Sequence, residues 1–429
     1  MSAHLNPMQT ELFPQASFEI DAKHTTHSGG KGEYLHDWYS YLEGFSSSFV
    51  HKILKTYAPD AEIVLEPFAG VGTTPVNSSI LGCTSYYCEI NPVLRKVVAI
   101  KKKILSLSDS EKSEFLLDIS ALGENLSSYL QNANPSEELR KKYYDCFDKS
   151  IFFSQDTFEQ VLKFRSLVDQ IALKDELLAE ALEVAILSCL VTCSLLKRSG
   201  DVRFKTPKEL SKGVPLLLPS VLKQLNLMMD DCRNCPRALA PMNLLANNSK
   251  EVLDIESIQA DIVITSPPYL NGTNYFRNTK LELWFIGELL NNKSLRVFRD
   301  QVVTSGINDV TKDKGKDILP LVSDLYAELL EKAYDARIAK MMSAYFYEMK
   351  IVLEGLHHHT KPNGVVCIDI GDSVYANVYI PTHTILTEIA KDLGFSLYEE
   401  IVLRKRYSNG GAELGQYLLV LKKMDSDEK

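Results

Sequence analysis

The sequence predicts an α/β protein with a doubly wound, mainly parallel sheet that ends in an antiparallel hairpin and carries a mainly helical insertion. Short apolar, β-branched runs at residues 63–65 and 262–264 each end at a polar or proline-rich turn, as buried parallel strands do. Between these runs, residues 105–236 change to helical periodicity. Near the chain end, residues 397–407 and 416–421 flank a glycine turn and are typical of a hairpin.

The first of these runs is Ile63, Val64 and Leu65. This short buried strand is followed at once by Glu66 and by a turn that contains two glycines, at positions 70 and 72. A helix over residues 74–81 then ends at Gly82. Glycines let the backbone approach a ligand closely, and the helix start supplies unpaired N–H groups, so the turn is a candidate ligand site.

Composition and charge limit the classes of function. The chain has 429 residues, 45% of them hydrophobic, which is enough for a large core and an added insertion. A net charge of −9 excludes a uniformly positive surface, so a nucleic-acid partner would need a local basic patch. The eight cysteines show no repeated spacing and suit reduced thiols, and the adjacent histidines 357–359 cannot share one helix face, so no metal site is expected. Without a signal segment or an apolar run of about 20 residues, we expect a cytoplasmic protein that does not enter a membrane.

The N-terminal part is expected to differ from the rest. Residues 1–33 are polar, end in a glycine-rich stretch and are expected to form a mobile arm. Over residues 38–54 the apolar side chains have helical spacing, which predicts a helix ahead of the first strand. Its aromatic side chains either enclose a ligand or only pack on the sheet, and the pattern does not decide between the two.

The next strands also end in polar residues. Residues 85–88 form a predicted strand that ends at Glu89, and an acid at the end of the second strand accepts bonds from ribose hydroxyls in dinucleotide-binding folds. Pro92 then begins a helix whose lysines are interpreted as a solvated helix end. A third strand is expected at Leu244 and Leu245, with Asn248 beyond its end.

Within the insertion, residues 197–212 carry six basic and two acidic side chains. Gly200, Pro207 and Gly213 predict a loop here rather than a helix. Basic side chains on a loop can reach phosphates, although an ordinary charged surface loop is the alternative. The polar residues 292–320 are interpreted as a disordered surface excursion.

The predicted strand over residues 261–265 stops at Ser266, Pro267, Pro268 and Tyr269. The prolines fix the backbone, so the Pro267 carbonyl has one set direction. A fixed carbonyl beside a hydroxyl and an aromatic ring is a receptor for a planar group that bears an amino nitrogen. The plain alternative is a strand that ends at prolines and enters a loop.

These two strand-end motifs, Thr-Ser-Pro-Pro-Tyr at 265–269 and Glu-Pro-Phe-Ala-Gly-Val-Gly-Thr-Thr at 66–74, resemble those of the S-adenosylmethionine-dependent DNA amino-methyltransferases of the cytosine-N4 and adenine-N6 type. The resemblance implies a Rossmann-like methyltransferase sheet, with residues 34–104 and 237–429 as the catalytic domain and 105–236 as the target-recognition region. It implies catalytic roles for Ser266, Pro267, Pro268 and Tyr269. The implied residues for S-adenosylmethionine are Glu66, Phe68, Gly70, Gly72, Thr73, Glu89 and Asn248, although the family more often has Asp where this chain has Glu66.

The resemblance further implies double-stranded DNA as the partner, with a cytosine flipped out of the duplex, and a cognate restriction endonuclease as a candidate second partner. The residues expected to contact nucleic acid are Lys197, Arg198, Arg203, Lys205, Tyr275, Arg404 and Arg406. Two enzyme alternatives stay open: adenine N6 as the target, or RNA as the substrate. The alternative from another class is an inactive protein that binds the cofactor and recognises DNA.

Overall fold

The protein is described by a computed structural model that covers residues 20–40, 44–270, 274–407, 411 and 413–425. In chain order, the strands β1 to β11 are Ile63–Glu66, Thr84–Cys88, Leu196–Ser199, Asp201–Phe204, Met242–Ala246, Ala260–Thr265, Thr360–Gly371, Ser373–Tyr375, Val378–Ile380, Phe395–Tyr407 and Glu413–Lys423. The helices α1 to α15 are Ser47–Tyr57, Thr73–Ile80, Pro92–Ser106, Asp109–Asn132, Glu137–Phe147, Gln155–Ala172, Glu176–Leu190, Pro207–Leu210, Leu217–Asn234, Tyr275–Asn278, Lys280–Phe285, Ser294–Gln301, Ser323–Lys332, Arg337–His359 and Thr382–Asp392.

Seven strands form one mixed sheet in the order β10-β11-β7-β6-β1-β2-β5. The five strands from β7 to β5 are parallel, and β11 is antiparallel to both of its neighbours. β1 lies between β2 and β6, so the sheet is wound outward in both directions from β1, and the carboxyl ends of these strands share one edge. The predicted doubly wound, Rossmann-like α/β sheet with its final hairpin and helical insertion is confirmed.

Helices pack on both faces of the sheet because the central strands are apolar on both sides. In β1, Val64 packs with α1, whereas its neighbour Leu65 packs with α14. In β6, Ile262 likewise lies in the hydrophobic cluster of α1, and Val263 lies in that of α14. Strands buried on both faces form continuous hydrophobic runs, which explains why both could be found in the sequence.

Part of the segment that was expected to be a mobile arm has defined local structure. Residues 22–25 and 27–30 form two short 3-10 helices, and Thr25 is buried. The Ser46 backbone N–H donates to the His24 carbonyl at 3.0 Å, and Glu33 accepts from the Ser47 N–H at 2.7 Å. These bonds tie the segment to the start of α1. Residues 1–19, the first half of the expected arm, lie outside the described residues.

The predicted helix over residues 38–54 is confirmed only from Ser47 onward, as α1. Trp38 ends a short 3-10 helix and Tyr39 is extended, and both are fully buried. Trp38 donates its indole N–H to Asp231 of α9 at 2.8 Å. The two aromatic side chains therefore belong to the core between this segment and the insertion.

The insertion contains α4 to α9 together with the hairpin β3–β4. The expectation of a loop over residues 197–212 is wrong, because β3 and β4 pair antiparallel around Gly200, whose φ is +70°, and α8 follows. Glycine adopts this left-handed conformation without strain, so the residue that suggested a loop makes a tight hairpin turn instead.

Residues 292–320 are not a disordered excursion. They contain α12 and a 3-10 helix at 307–309, and Thr304 and Asp309 are buried. Lys314 donates to the Val302 carbonyl at 2.8 Å and lies 3.4 Å from Glu348 of α14. Long polar side chains bonded to buried groups order this segment, which its polar composition alone could not show.

Among the described residues, no helix is long and apolar enough to cross a bilayer.

Candidate functional site

A cavity of about 210 Å³ opens at the sheet edge where β1, β2, β6 and β7 end. Its walls include the glycine bend that follows β1 (residues 67–72) and the proline corner that follows β6 (residues 266–269). The residues used below that line it are Thr25, Thr26, Phe68, Gly70, Glu89, Asn248, Ser266, Pro267, Pro268, Tyr269, Tyr275, Val302, Val303, Asp369, Arg404, Arg406 and Gln416. The structure therefore brings Gly70 and Pro267 to the wall of one cavity.

The glycine bend depends on left-handed backbone. Gly70 and Gly72 have φ of +55° and +86°. A Cβ on Gly72 would lie 2.9 Å from Val98 Cγ2, so helix α3 also requires glycine there. Lys101 of α3 donates its Nζ to the Val71 carbonyl at 2.7 Å and is 2% exposed. The interpretation of the α3 lysines as a solvated helix end is thus wrong for Lys101, which supports the bend.

Glu66 does not line the cavity. Its Oε1 accepts from the Phe68 N–H at 2.9 Å and from the Thr265 hydroxyl, and its Oε2 accepts from the Thr74 hydroxyl at 3.0 Å. Burial raises the pKa of this carboxyl to about 7. Glu66 therefore joins the glycine bend to the end of β6, and its contact with the cofactor stays a prediction. Gly72 and Thr73, also predicted to contact the cofactor, do not line the cavity either.

Glu89 follows the end of β2 and does line the cavity. Its Oε2 accepts from the Gly70 N–H and its Oε1 from the Asn91 N–H, each at 2.7 Å. Burial raises the pKa of Glu89 to about 7, against the lowering effect of the two backbone N–H groups. Because each carboxylate oxygen can accept two bonds, both oxygens keep capacity for hydroxyl groups of a ligand.

Asn248 follows β5 and reaches the same cavity, as the sequence predicted. Its Oδ1 caps the next turn by accepting from the Lys250 N–H at 3.1 Å. Its Nδ2 donates to Glu251 Oε1 at 3.2 Å and to the Gln301 carbonyl at 3.3 Å. The amide is thus fixed by its neighbours at the cavity wall.

At the proline corner, the Tyr269 hydroxyl donates to Asp369 Oδ1 at 2.8 Å. Burial, chiefly, and the charge of Asp369 raise the pKa of Tyr269, while a hydrogen bond with Ser266 lowers it. Gln416 Nε2 donates to the same Asp369 oxygen at 2.6 Å. Ser266, Tyr269, Asp369 and Gln416 therefore form one hydrogen-bonded chain from β6 through β7 to β11.

Asp369 is the site residue that sequence reasoning missed. Burial raises the pKa of its carboxyl to about 6, although bonds from Gln416 and Tyr269 lower it. An acid inside the apolar run of β7, over residues 365–370, was the available signal. A buried carboxyl in a strand is costly unless it is bonded, so such a residue indicates either a partner or a function.

Arg406 packs over the ring of Tyr269, with its guanidinium carbon 5.6 Å from the ring centroid. Its Nη2 donates to the Asp372 carbonyl at 2.6 Å, and its buried Nε has no partner among the described residues. A Cβ on Gly371 would lie 2.5 Å from Arg406 Nη2 and 3.1 Å from Tyr269 Cε2, so glycine makes room for this pair. Arg404 donates its Nε to Gln416 Oε1. Both arginines line the cavity and take part in its hydrogen bonding.

Three further parts of the chain close the cavity. Thr25 and Thr26 come from the N-terminal segment, and Val302 and Val303 from the segment after α12. Tyr275, at the start of α10, also lines it. Residues 271–273, between the proline corner and α10, lie outside the described residues. No pattern in the sequence indicated that residues 25–26 and 302–303 would meet here.

The predicted basic residues of the insertion do not line this cavity. Arg198 is paired with Glu282, which is fully buried, and donates to the Tyr39 hydroxyl at 2.7 Å. Lys197 and Arg203 pair with Glu209 at 2.9 and 2.8 Å. Lys205 donates to the carbonyls of residues 192 and 194. These four cations are engaged within the protein, and their contact with nucleic acid stays a prediction.

The chain is similar to type II methyltransferases. It is 25% identical over 442 residues to the type II methyltransferase M.BsoBI of Geobacillus stearothermophilus, which covers 93% of this chain and 86% of that protein. It is 22% identical over 435 residues to the type II methyltransferase M.AvaI of a Nostoc species, with the same coverage of 93% and 86%. No protein-family model matches.

Solved structures show weaker likeness. An rRNA methyltransferase, aviRa from Streptomyces viridochromogenes, is 7% identical, with 90% of this chain and 89% of that chain covered and a TM-score of 0.30. A SAM-dependent methyltransferase from Methanosarcina mazei is 6% identical, with 87% and 97% covered and a TM-score of 0.32. Likeness at this level does not extend to details of the site.

Proposed function

We propose that this chain is a site-specific DNA methyltransferase that transfers the methyl group of S-adenosylmethionine to the exocyclic N4 amino group of a flipped cytosine. The observation that carries the proposal is the single cavity lined by both Gly70 and Pro267. The likeness to two type II methyltransferases along 93% of the chain supports it.

The residues of the cavity fit S-adenosylmethionine. Glu89 keeps acceptor capacity for a pair of ribose hydroxyls, at the place where doubly wound sheets bind them. The backbone from Phe68 to Gly70 approaches the cavity without side-chain obstruction at the glycine. Asn248 lines the wall beyond β5. When bound, S-adenosylmethionine supplies an electrophilic methyl group on a sulfonium.

The proline corner would hold the target amino group. The lone pair of an amino nitrogen on a pyrimidine is delocalised into the ring, which makes it a poor nucleophile. The Pro267 carbonyl accepts one amino hydrogen, and Ser266 Oγ accepts the other or bonds the ring nitrogen. Where both amino hydrogens are accepted, these bonds would draw the amino nitrogen toward a tetrahedral form and free its lone pair. That nitrogen would then take the methyl group that S-adenosylmethionine supplies, as the methyl–sulfur bond breaks. The proton that the nitrogen then loses passes to water, so no strong base is needed.

Tyr269 and Asp369 would fix this corner. Asp369 holds the Tyr269 hydroxyl, and the guanidinium of Arg406 lies over the Tyr269 ring, so a base has only the opposite face on which to stack. Flipping costs a few kcal/mol. Stacking returns about 1 to 3 kcal/mol and each net hydrogen bond about 1 kcal/mol. Phosphate contacts must therefore contribute to binding.

The test is transfer of radiolabelled methyl from S-adenosylmethionine to duplex DNA, followed by mass spectrometry of the digested nucleosides. We expect label in the DNA and N4-methylcytosine as the product. N6-methyladenine would reject the cytosine assignment but keep the methyltransferase. Label in RNA alone would reject DNA as the substrate. Binding of cofactor and DNA without any transfer would show a recognition protein.

A further inference from the structure

A second open cavity, of about 460 Å³, lies beside the site and shares α10 with it. Tyr275 and Phe276 of this helix line the first cavity, whereas Asn274, its N-cap, and Arg277 line the second. The other walls of the second cavity include residues 146–148 and 150 at the end of α5, and Leu295 and Arg299 of α12. We call this cavity the α10 groove. It lies between the insertion and the segment that follows the proline corner.

The α10 groove is basic. Arg277, Lys280 and Arg299 line it, and Asp148 is the acidic side chain among the described residues of its lining. Arg299 donates to the Leu295 and Asn308 carbonyls at 3.2 and 3.4 Å, which orient the guanidinium without neutralising it. Lys280 Nζ lies 3.9 Å from the Phe152 ring centroid, and burial lowers its pKa to about 8. Lys280 and Arg299 make no ion pair with a carboxylate in the described part of the chain.

Arg277 is more exposed than the other two basic residues of the groove, Lys280 and Arg299. Its side chain is 49% exposed and its Nη1 lies 3.5 Å from Asp201 Oδ2, which is a loose contact. Lys197 and Arg203, by comparison, share Glu209 at 2.9 and 2.8 Å and would have to give up those contacts to bind another anion. The cations of the α10 groove are therefore better placed to accept a phosphate than those of the β3–β4 hairpin.

We propose that the α10 groove binds the sugar-phosphate backbone of duplex DNA next to the target base. This inference rests on the proposed function. The chain has a net charge of −9, so its attraction for DNA must come from a local positive region, and the groove supplies one within one short helix of the cavity. Contacts to phosphate in the groove would hold the strand while the base enters the cavity on the other side of α10.

The experiment measures how the affinity for a fluorescein-labelled random-sequence duplex depends on salt, by fluorescence anisotropy with the full chain. Each phosphate contact contributes about 1 to the slope of log affinity against log salt. We expect Arg277→Gln and Arg299→Gln each to reduce that slope by about 1, the double variant by about 2, and Arg299→Lys to keep it. Lys280 is left unchanged because its side chain packs on Phe152.

Arg337→Gln is the matched control. Arg337 is 53% exposed and paired with Asp335, much as Arg277 is exposed and paired, but it lines neither cavity. We expect its slope to equal that of the wild type. Thermal unfolding and S-adenosylmethionine affinity of all variants should match the wild type. An unchanged slope in a folded double variant would contradict only the proposal that the α10 groove binds DNA. A wild type that binds no DNA would contradict both this proposal and the proposed function.

Discussion

Ser266 is the residue whose loss tests the proposed chemistry most directly. Ser266 follows β6 and lines the cavity, and its hydroxyl bonds Tyr269. It lies far in the sequence from the glycine bend. We expect Ser266→Ala to lower turnover about five- to tenfold, since one hydrogen bond contributes about 1 kcal/mol. Affinity for S-adenosylmethionine, measured by calorimetry, should not change. Turnover equal to that of the wild type would remove Ser266 from the mechanism.

Asp369 gives a prediction about stability and pH. Burial raises the pKa of its carboxyl from 3.8 to about 6 in the folded protein, so the folded state holds the proton over a range in which the unfolded state has lost it. The free energy of unfolding should therefore fall as pH rises from about 4 to about 6, by about 3 kcal/mol from this group. Asp369→Asn removes that part of the dependence. Urea unfolding of both proteins at several pH values measures the difference, and parallel curves would contradict it.

For individual site residues, the sequence predicted those that lie in motifs. It did not predict those that come together only in the folded protein. Glu89, Ser266 and Tyr269 follow strands whose apolar runs are plain in the sequence, and they meet at the cavity. Asp369 comes from β7, about a hundred residues beyond Tyr269, and no local pattern connects the two. For Glu66 the motif position gave no sign of its internal hydrogen bonds, because a motif position does not tell whether a carboxylate faces a ligand or the core.

The β3–β4 hairpin is an element whose structure differs from the sequence prediction, which expected a loop there. Arg198 lies on it with a side chain that is 17% exposed, and it pairs with Glu282 of α11, which is 0% exposed. It also packs over the Tyr39 ring at 5.3 Å. The hairpin therefore anchors the insertion to α11 and to the N-terminal segment, so its arginine has a structural partner that the charge pattern alone did not reveal.

We expect Arg198→Met to lower the free energy of unfolding by about 3 kcal/mol, since it leaves Glu282 buried without its partner. The adjacent Lys197→Met is the control: its pair with Glu209 is 49% exposed on the lysine side and contributes at most about 1 kcal/mol. Urea unfolding of the three proteins measures both effects. Equal losses for the two variants would show that Arg198 is not an anchor.

Helices and central strands were predictable because burial leaves a periodic trace in the sequence. α2, α3 and β6 were expected close to where they lie. The hairpin β3–β4 and the segment 302–309 were not. Polar contacts between distant residues help to hold them: Val202 N–H donates to Asn278 Oδ1 at 2.6 Å, and Thr304 N–H donates to Glu348 at 2.6 Å. Hydrogen bonds between residues far apart in the chain leave no periodic pattern in the sequence.

For the whole molecule, the boundary between insertion and catalytic domain is weaker than the sequence suggested. One hydrophobic cluster contains residues of α3, of the insertion helices and of α11. Lys96 and Lys103 of α3 pair with Glu183 and Glu180 of α7, each at 2.7 Å. Trp284 of α11 donates to the Leu139 carbonyl at 3.1 Å. Residues 105–236 thus complete one hydrophobic core together with α3 and α11.

The insertion should therefore unfold together with α3 rather than as a separate domain. Hydrogen exchange in increasing urea, followed by mass spectrometry, should show peptides of α6 and α7 losing protection with those of α3, because all three bury side chains in the same cluster. Trp38 and Trp284, both fully buried in that cluster, give a second probe, and their fluorescence should change over the same urea range. Loss of protection in α6 and α7 at lower urea, with α3 and both tryptophans unaffected, would instead make the insertion an independent unit.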